Sequence, residues 1–301
     1  MTDTQPRLAV SLLMLLSLAT LWGASYSFIK LGVATIPPVT LIAVRTLIAG
    51  SLLLAILHLR GLRLPTDRRN TKRFLIQAGL NTVVPFTLVA WGSQYVDAGL
   101  VTILNSLTPV FAFLINALVT RHEAVTGRKL VGVLLGLLGI CLVIGPSALG
   151  GLNEALLAQG AIVFAAVAYG AAVTFGRTFR DLDPMMPAAG SLLWGGIVLL
   201  PFSLVLDHPW TLAPSQSSIL ALLALSVFST ALAFVLYFNL LSRIGSIGTT
   251  AQAYLRVPIG VGIAMVFLGE VPQPSAWVGL VFVIASVVMM TLPARRPART
   301  A

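Results

Sequence analysis

Ten long apolar runs alternate with short gaps that hold most of the charge, and this alternation leaves few folds open to the chain. The runs cover residues 8–29, 39–59, 74–96, 99–120, 130–146, 156–176, 185–206, 218–241, 249–269 and 276–293. Each approaches the ~20 residues that an α-helix needs to cross a hydrocarbon core. Lipid offers a backbone no outside hydrogen-bond partner, so only helices or closed barrels span it. Strand-like period-two alternation is absent, which leaves helices. Composition agrees, with 57% of the 301 residues hydrophobic and only 9% charged, against roughly a quarter charged in soluble domains. The sequence predicts an all-α integral membrane protein with ten transmembrane helices.

The gaps set the orientation. With the N-terminus inside, the inner segments hold Arg7; Arg60, Arg63, Arg68, Arg69, Lys72 and Arg73; Arg121, Arg128 and Lys129; Arg177 and Arg180; Arg243; and Arg295, Arg296 and Arg299, which is 16 of the 19 basic residues. The outer gaps hold Lys30 alone, while Arg45 and Arg256 lie inside runs. Basic residues concentrate in cytoplasmic loops, so both termini are expected in the cytoplasm. The same distribution argues against nucleic acid as a partner, because the net charge of +10 forms no basic face. Arg7 ahead of the first run and Ala24 within it resemble a signal peptide, but a run of 22 residues with a partner later in the chain reads as a retained helix. The single cysteine, Cys141, forms no disulfide within the chain and sits among apolar neighbours.

That partner comes from an internal repeat. A shift of 147 residues places Trp22-Gly23-Ala24 on Tyr169-Gly170-Ala171, Phe28 on Phe175, Pro37 on Pro184, Thr102 on Thr249, Glu123 on Glu270 and Gly132 on Gly279. The two halves, 1–148 and 149–301, then hold five helices each. Five is odd, so the second copy enters from the opposite side of the membrane. Inverted repeats of this kind are typical of secondary transporters, with the solute site near the midplane between the copies.

The pieces LWGASYSFIKLG, SLTPVFAFLINALVTRHEAVTGRKLVG and VPIGVGIAMVFLGEVPQPSAWVG, with the Arg45-containing second run, resemble the ten-helix drug/metabolite transporter superfamily and its EamA-type exporters. In length and general character the chain is also similar to the YddG-like exporters of aromatic and other amino acids. The resemblance implies an exporter of small metabolites in the bacterial inner membrane, working by alternating access without ATP hydrolysis of its own.

Several polar and aromatic residues inside the runs are candidates to line a solute cavity. Pro109 in NSLTPVF and Pro258 in YLRVPIG should kink their helices and free the carbonyls of Asn105 and Tyr254. Gln77, Asn81, Pro85, Gly92 and Tyr95 approximate one helical stripe, with Trp91 one residue off it. Side-chain amides lack partners in lipid, so the stripe should face the interior, as a cavity wall or as interhelical glue. Trp22, Tyr26 and Tyr169, with Tyr237 and Asn239 in the eighth run, could form an aromatic pocket or an interfacial belt. Trp210 and Trp277 read as interface anchors.

The two arginines inside runs need a reason to persist, since a charge at the membrane centre costs at least ~2.5 kcal/mol. Arg256 could snorkel to the headgroups, donate to carbonyls loosened by the kink, or face the cavity and meet a substrate carboxylate. Arg45, nearer a helix end, reads as structural.

No run contains Asp, Glu or His at depth, so carboxylate-based proton antiport is disfavoured and facilitated export is simpler. Nothing in the pattern points to an enzyme, a metal or a cofactor: there is no acid pair, no ligand cluster, no nucleophile and base, and no phosphate loop. A small-molecule substrate and the lipid bilayer are the expected partners, with a monomer as the working state. A channel or a non-transporting assembly protein is the competing reading.

Overall fold

A computed structural model describes residues 5–119, 126–148, 153–250 and 252–291. Among them every regular element is helical. In chain order the helices are α1 (Gln5–Gly32), α2 (Pro38–Leu59), α3 (Arg68–Gly92), α4 (Ala98–Val119), α5 (Gly127–Ala148), α6 (Glu154–Gly176), α7 (Met185–Asp207), α8 (Gln216–Ile244, continuing to Thr250), α9 (Gln252–Leu268) and α10 (Pro274–Thr291). Eight stretches are long and apolar enough to cross a membrane, while the last two helices offer shorter apolar stretches, Leu255–Leu268 and Pro274–Met289. The 17 residues of α9 reach ~26 Å at 1.5 Å per residue, a few ångströms under a typical core.

Apolar side chains divide between two faces. Leu18, Leu41, Ile42, Leu53, Phe74, Leu104, Ile162, Leu192 and Leu225 are fully buried between helices, whereas Leu13, Phe164, Val205 and Phe267 stand exposed. Exposed large hydrophobics at this density suit a lipid-facing surface and would be a liability in water.

Close helix pairs form where glycine leaves room. α1 packs on α9, α4 on α6, α2 on α7 and α5 on α10. At the first of these crossings a Cβ on Gly23 would lie 3.0 Å from the Arg256 carbonyl oxygen and 3.1 Å from the Gly260 nitrogen. Small residues that let backbones approach are the usual means of association in lipid, where burial of apolar surface supplies no drive.

Helix irregularities fall where the sequence withdraws a donor or loosens the ladder. Wide π-type turns occupy Gly79–Val83 just before Pro85, Ile115–Val119 after Pro109, Ser203–Asp207 after Pro201, and Val227–Leu232 in α8. α4 breaks at Ser106–Leu107, between Ala98–Asn105 and Thr108–Leu114. The Asn105 carbonyl left over at this break accepts the Thr108 hydroxyl at 2.9 Å. α9 differs: its helix runs unbroken through Pro258.

Two carboxylates cap helices from across the bundle. Asp207, at the end of α7, accepts from the Thr40 backbone nitrogen at 2.8 Å and its hydroxyl at 2.7 Å. Glu270, just past α9, accepts from the backbone nitrogens of Ala98 and Gly99 at 2.8 and 2.9 Å. Both sit on the positive ends of helices, where free N–H groups and the helix dipole favour an anion. Glu270 thus serves α4. Glu123, its counterpart in the repeat register, lies outside the described residues.

Candidate functional site

A cavity of about 880 Å³ lies among α1, α2, α3, α4, α6, α7, α8 and α9. Its lining residues occupy only part of each helix. On α1 they stop at Ile29, on α4 they begin at Asn105, and on α9 they run from Gln252 to Arg256. The exposed Arg177 and Arg180 stand at the mouth. Beyond Ile29 the bundle is closed: Val33 and Ile36 are buried, and Lys30 Nζ donates to the Val96 carbonyl at 2.8 Å. At the blind end Asn105 Nδ2 donates to the Tyr26 hydroxyl at 2.6 Å.

Aromatic rings form much of the wall. Trp22 meets Phe234 edge-on at 6.0 Å and Tyr237 at 5.6 Å between centroids. Phe86 lies 6.2 Å from Tyr169, and the Arg45 guanidinium sits 4.0 Å above the Phe86 ring. Arg45 Nε also donates to Thr230 Oγ1 at 3.0 Å. The hydroxyl of Thr230 in turn donates to the Leu225 carbonyl at 2.7 Å, a bond that spans the start of the π turn in α8.

Polar atoms around the cavity lack partners among the described residues: Gln77 Oε1, Asn105 Oδ1, Ser229 Oγ, Gln252 Oε1 and Arg256 Nε. An unsatisfied buried polar atom costs about 1–3 kcal/mol. Clustered on one cavity, such atoms are available to hydrogen-bond a polar group placed there. Among the described residues, the charged members of the lining are Arg45, Arg177, Arg180 and Arg256, and no carboxylate lines it.

Of the residues singled out by sequence, Trp22, Gln77, Asn81, Asn105, Pro109, Tyr169, Tyr237 and Arg256 line this cavity. Trp91 and Tyr95 do not; their rings pack on each other at 5.3 Å, and Tyr95 edges a separate pocket of about 280 Å³ beside Glu270. The π turn at Gly79–Val83 explains the departure, since its extra residue per turn puts the later part of the stripe out of phase with Gln77 and Asn81. Asn239 is exposed and donates to the Val235 carbonyl at 2.9 Å. It lies two residues past Tyr237, about 200° around the helix. Pro258 is exposed and outside the cavity. The Tyr254 side chain lies outside the described residues.

Arg256 borders the cavity, partly buried, with Nε enclosed and without a hydrogen-bond partner among the described residues. Arg45 combines two roles, being anchored to Thr230 and Phe86 and also part of the wall. Sequence reasoning did not place Arg45, Phe86, Thr230 or Gln252 in the site. The cost of an arginine at depth was the available signal for the first. Gln252 carried the same signal as Gln77, an amide without partners in lipid, while Phe86 and Thr230 carried none, because their types are ordinary in membrane helices. Trp210 and Trp277 are both exposed, as anchors would be.

Comparison with known proteins accounts for the architecture. The model of the EamA-like transporter family matches residues 9–145 and again 156–292. The chain is 30% identical over 280 residues to the uncharacterized inner membrane transporter YedA of Escherichia coli K12, covering 92% of this chain and 89% of that one. It is 29% identical over 217 residues to a probable terminal-alkyne amino-acid exporter of Streptantibioticus cattleyicolor, covering 71% of each. A solved crystal structure superposes with a TM-score of 0.67 over 96% of this chain and 99% of its own, at 18% identity, which shows a shared fold. The chain is a multi-pass membrane protein, and it belongs to the EamA-like transporter family.

Proposed function

We propose that this transporter is a secondary carrier of the bacterial inner membrane that exports small organic metabolites, aromatic and apolar amino acids among them, by alternating access. The observation that carries the proposal is the cavity itself, open past Arg177 and Arg180 and closed beyond Ile29. Its walls combine aromatic rings with a few unpaired polar atoms, which is the usual make-up of a small-molecule site. The amino-acid exporter among the relatives supports the substrate class, and YedA supports the inner membrane.

In this reading the chain spans the membrane ten times as two inverted repeats, residues 1–148 and 149–301, with both termini cytoplasmic, and works as a monomer. Support comes from the two consecutive family matches. It comes also from packing, since α1 on α9 and α6 on α4 exchange under the repeat, while α2 with α7 and α5 with α10 are repeat mates. The π turns at Gly79–Val83 and Val227–Leu232 fall at matching places in α3 and α8. The basic mouth then faces the cytoplasm, as the charge rule requires. That is the loading state of an exporter. With no carboxylate among the described lining residues to relay protons, flux in this reading runs down the solute gradient.

The test is uptake of an amino-acid panel into liposomes holding the purified protein. Saturable flux of an aromatic or apolar member, unchanged by an imposed pH gradient, is the expected result. Absence of flux for every member contradicts the substrate class, and strict dependence on a proton gradient contradicts the energetics.

A further inference from the structure

The charges of the cavity permit a narrower statement about its solute. Its two deep cations are held by different means. Arg45 is fixed from behind, through Nε to Thr230 Oγ1 at 3.0 Å and by its face on Phe86 at 4.0 Å. These contacts leave its two terminal nitrogens with no hydrogen bond among the described residues, in a side chain that is 6% exposed and part of the lining. Arg256 presents a buried Nε with no partner. Both guanidiniums belong to the wall of the same cavity, together with Tyr169. A structural arginine in a membrane interior ends on carbonyls or on a carboxylate. These two end on the cavity.

We infer that the site prefers aromatic or apolar carboxylates whose amine is absent or blocked, with the carboxylate received by Arg256 and Arg45. The inference rests on the proposed transport role for its biological meaning and refines the substrate class given there. A guanidinium fork matches a carboxylate in shape and charge, and such bonds are about twice as strong as neutral ones. Trp22, Phe86, Phe234 and Tyr237 supply an apolar wall for the remainder of the solute. An ammonium group has no such reception. Among the described residues the lining offers it neutral acceptors, the free oxygens of Gln77, Asn105 and Gln252, and no carboxylate. It would also enter past Arg177 and Arg180 against like charge. A zwitterionic amino acid therefore stands between the two extremes.

Three probes with one ring separate these terms: N-acetyl-phenylalanine, phenylalanine and phenethylamine, titrated calorimetrically into the detergent-solubilised full chain. Affinity is expected to fall in that order, with about tenfold or more between first and last. Arg256→Gln should weaken N-acetyl-phenylalanine about tenfold and leave phenethylamine unchanged or tighter, with Arg256→Lys between the two. Thermal unfolding of each variant confirms that the comparison is made on folded protein. Arg45→Gln is the less suitable variant, because Arg45 is also anchored in the wall. Phenethylamine binding as tightly as N-acetyl-phenylalanine overturns the inference. So does no binding of the carboxylate probes, or an Arg256→Gln affinity within about twofold of the parent. Binding is read without a membrane, so this outcome is independent of whether liposomes show flux.

Discussion

Asn105 donates its side-chain N–H to the Tyr26 hydroxyl across 2.6 Å, joining α1 to α4 where the cavity ends. Asn105 is 4% exposed and its Oδ1 has no partner. Tyr26→Phe would leave both ends of that amide unsatisfied and should cost about 1–3 kcal/mol of stability. In an Asn105→Leu background, where the amide is gone, the same change should cost well under ~1 kcal/mol. Unfolding of the four proteins in detergent gives the coupling directly. Equal costs in both backgrounds would mean that the bond contributes nothing.

Glu270 holds the start of α4 through two backbone nitrogens. Glu270→Ala removes this cap and should cost about 0.5–2 kcal/mol, while Glu270→Gln keeps one acceptor and should cost less. Thermal unfolding of the two variants tests the order, and a cost for Gln equal to that for Ala would contradict a capping role.

The crossing of α1 and α9 should tolerate no side chain at Gly23, because the atoms within reach, the Arg256 carbonyl and Gly260, are backbone. Gly23→Ala is expected to destabilise by about 1–3 kcal/mol. Gly262, also in α9, has nothing within 4 Å of its would-be Cβ. Gly262→Ala should therefore be neutral or stabilise by up to ~1 kcal/mol, from helix propensity. Similar melting temperatures for the two variants would refute the packing account.

In the connection between α6 and α7, Asp181 accepts two bonds of 2.6 and 3.0 Å from Arg73 near the start of α3, and Asp183 meets Arg60 at 3.2 Å. Hydrogen bonding from Arg73 holds the Asp181 carboxyl below its usual pKa of 3.8. A group depressed in this way contributes stability above its unfolded pKa and loses it as the pH falls through the folded value. Stability should therefore drop on acidification below about pH 4. Asp181→Asn should flatten that part of the profile and leave the higher-pH part of its slope intact. An unchanged acid limb would show that the pair is not coupled to folding.

The helices were legible in sequence because length and hydropathy fix them in lipid, and the apolar runs at 39–59 and 156–176 match α2 and α6 closely. The site was legible where a residue type is costly in lipid. Gln77, Asn81, Asn105 and Arg256 all need a polar face, and all line the cavity. Phase was the weak point. Periodicity assumes one constant turn, and the π turn at Gly79–Val83 places Trp91 and Tyr95 away from the cavity that Gln77 and Asn81 share. Proline alone also told too little. Pro109 coincides with a break that Ser106 and Thr108 stabilise by bonding to nearby carbonyls, whereas Pro258 sits in a continuous helix. Those hydroxyls were visible in NSLTPVF, but their pairing depends on how the backbone turns.

The central claim is that one cavity serves both sides of the membrane in turn, and trans-stimulation measures this most directly. Liposomes holding the purified protein are preloaded with unlabelled phenylalanine or N-acetyl-phenylalanine, and entry of the same labelled solute is followed. Alternating access predicts a transient overshoot of label, saturable in external solute, for at least one of the two. Entry that rises linearly with concentration and is indifferent to preloading would contradict it and make the cavity the vestibule of a channel.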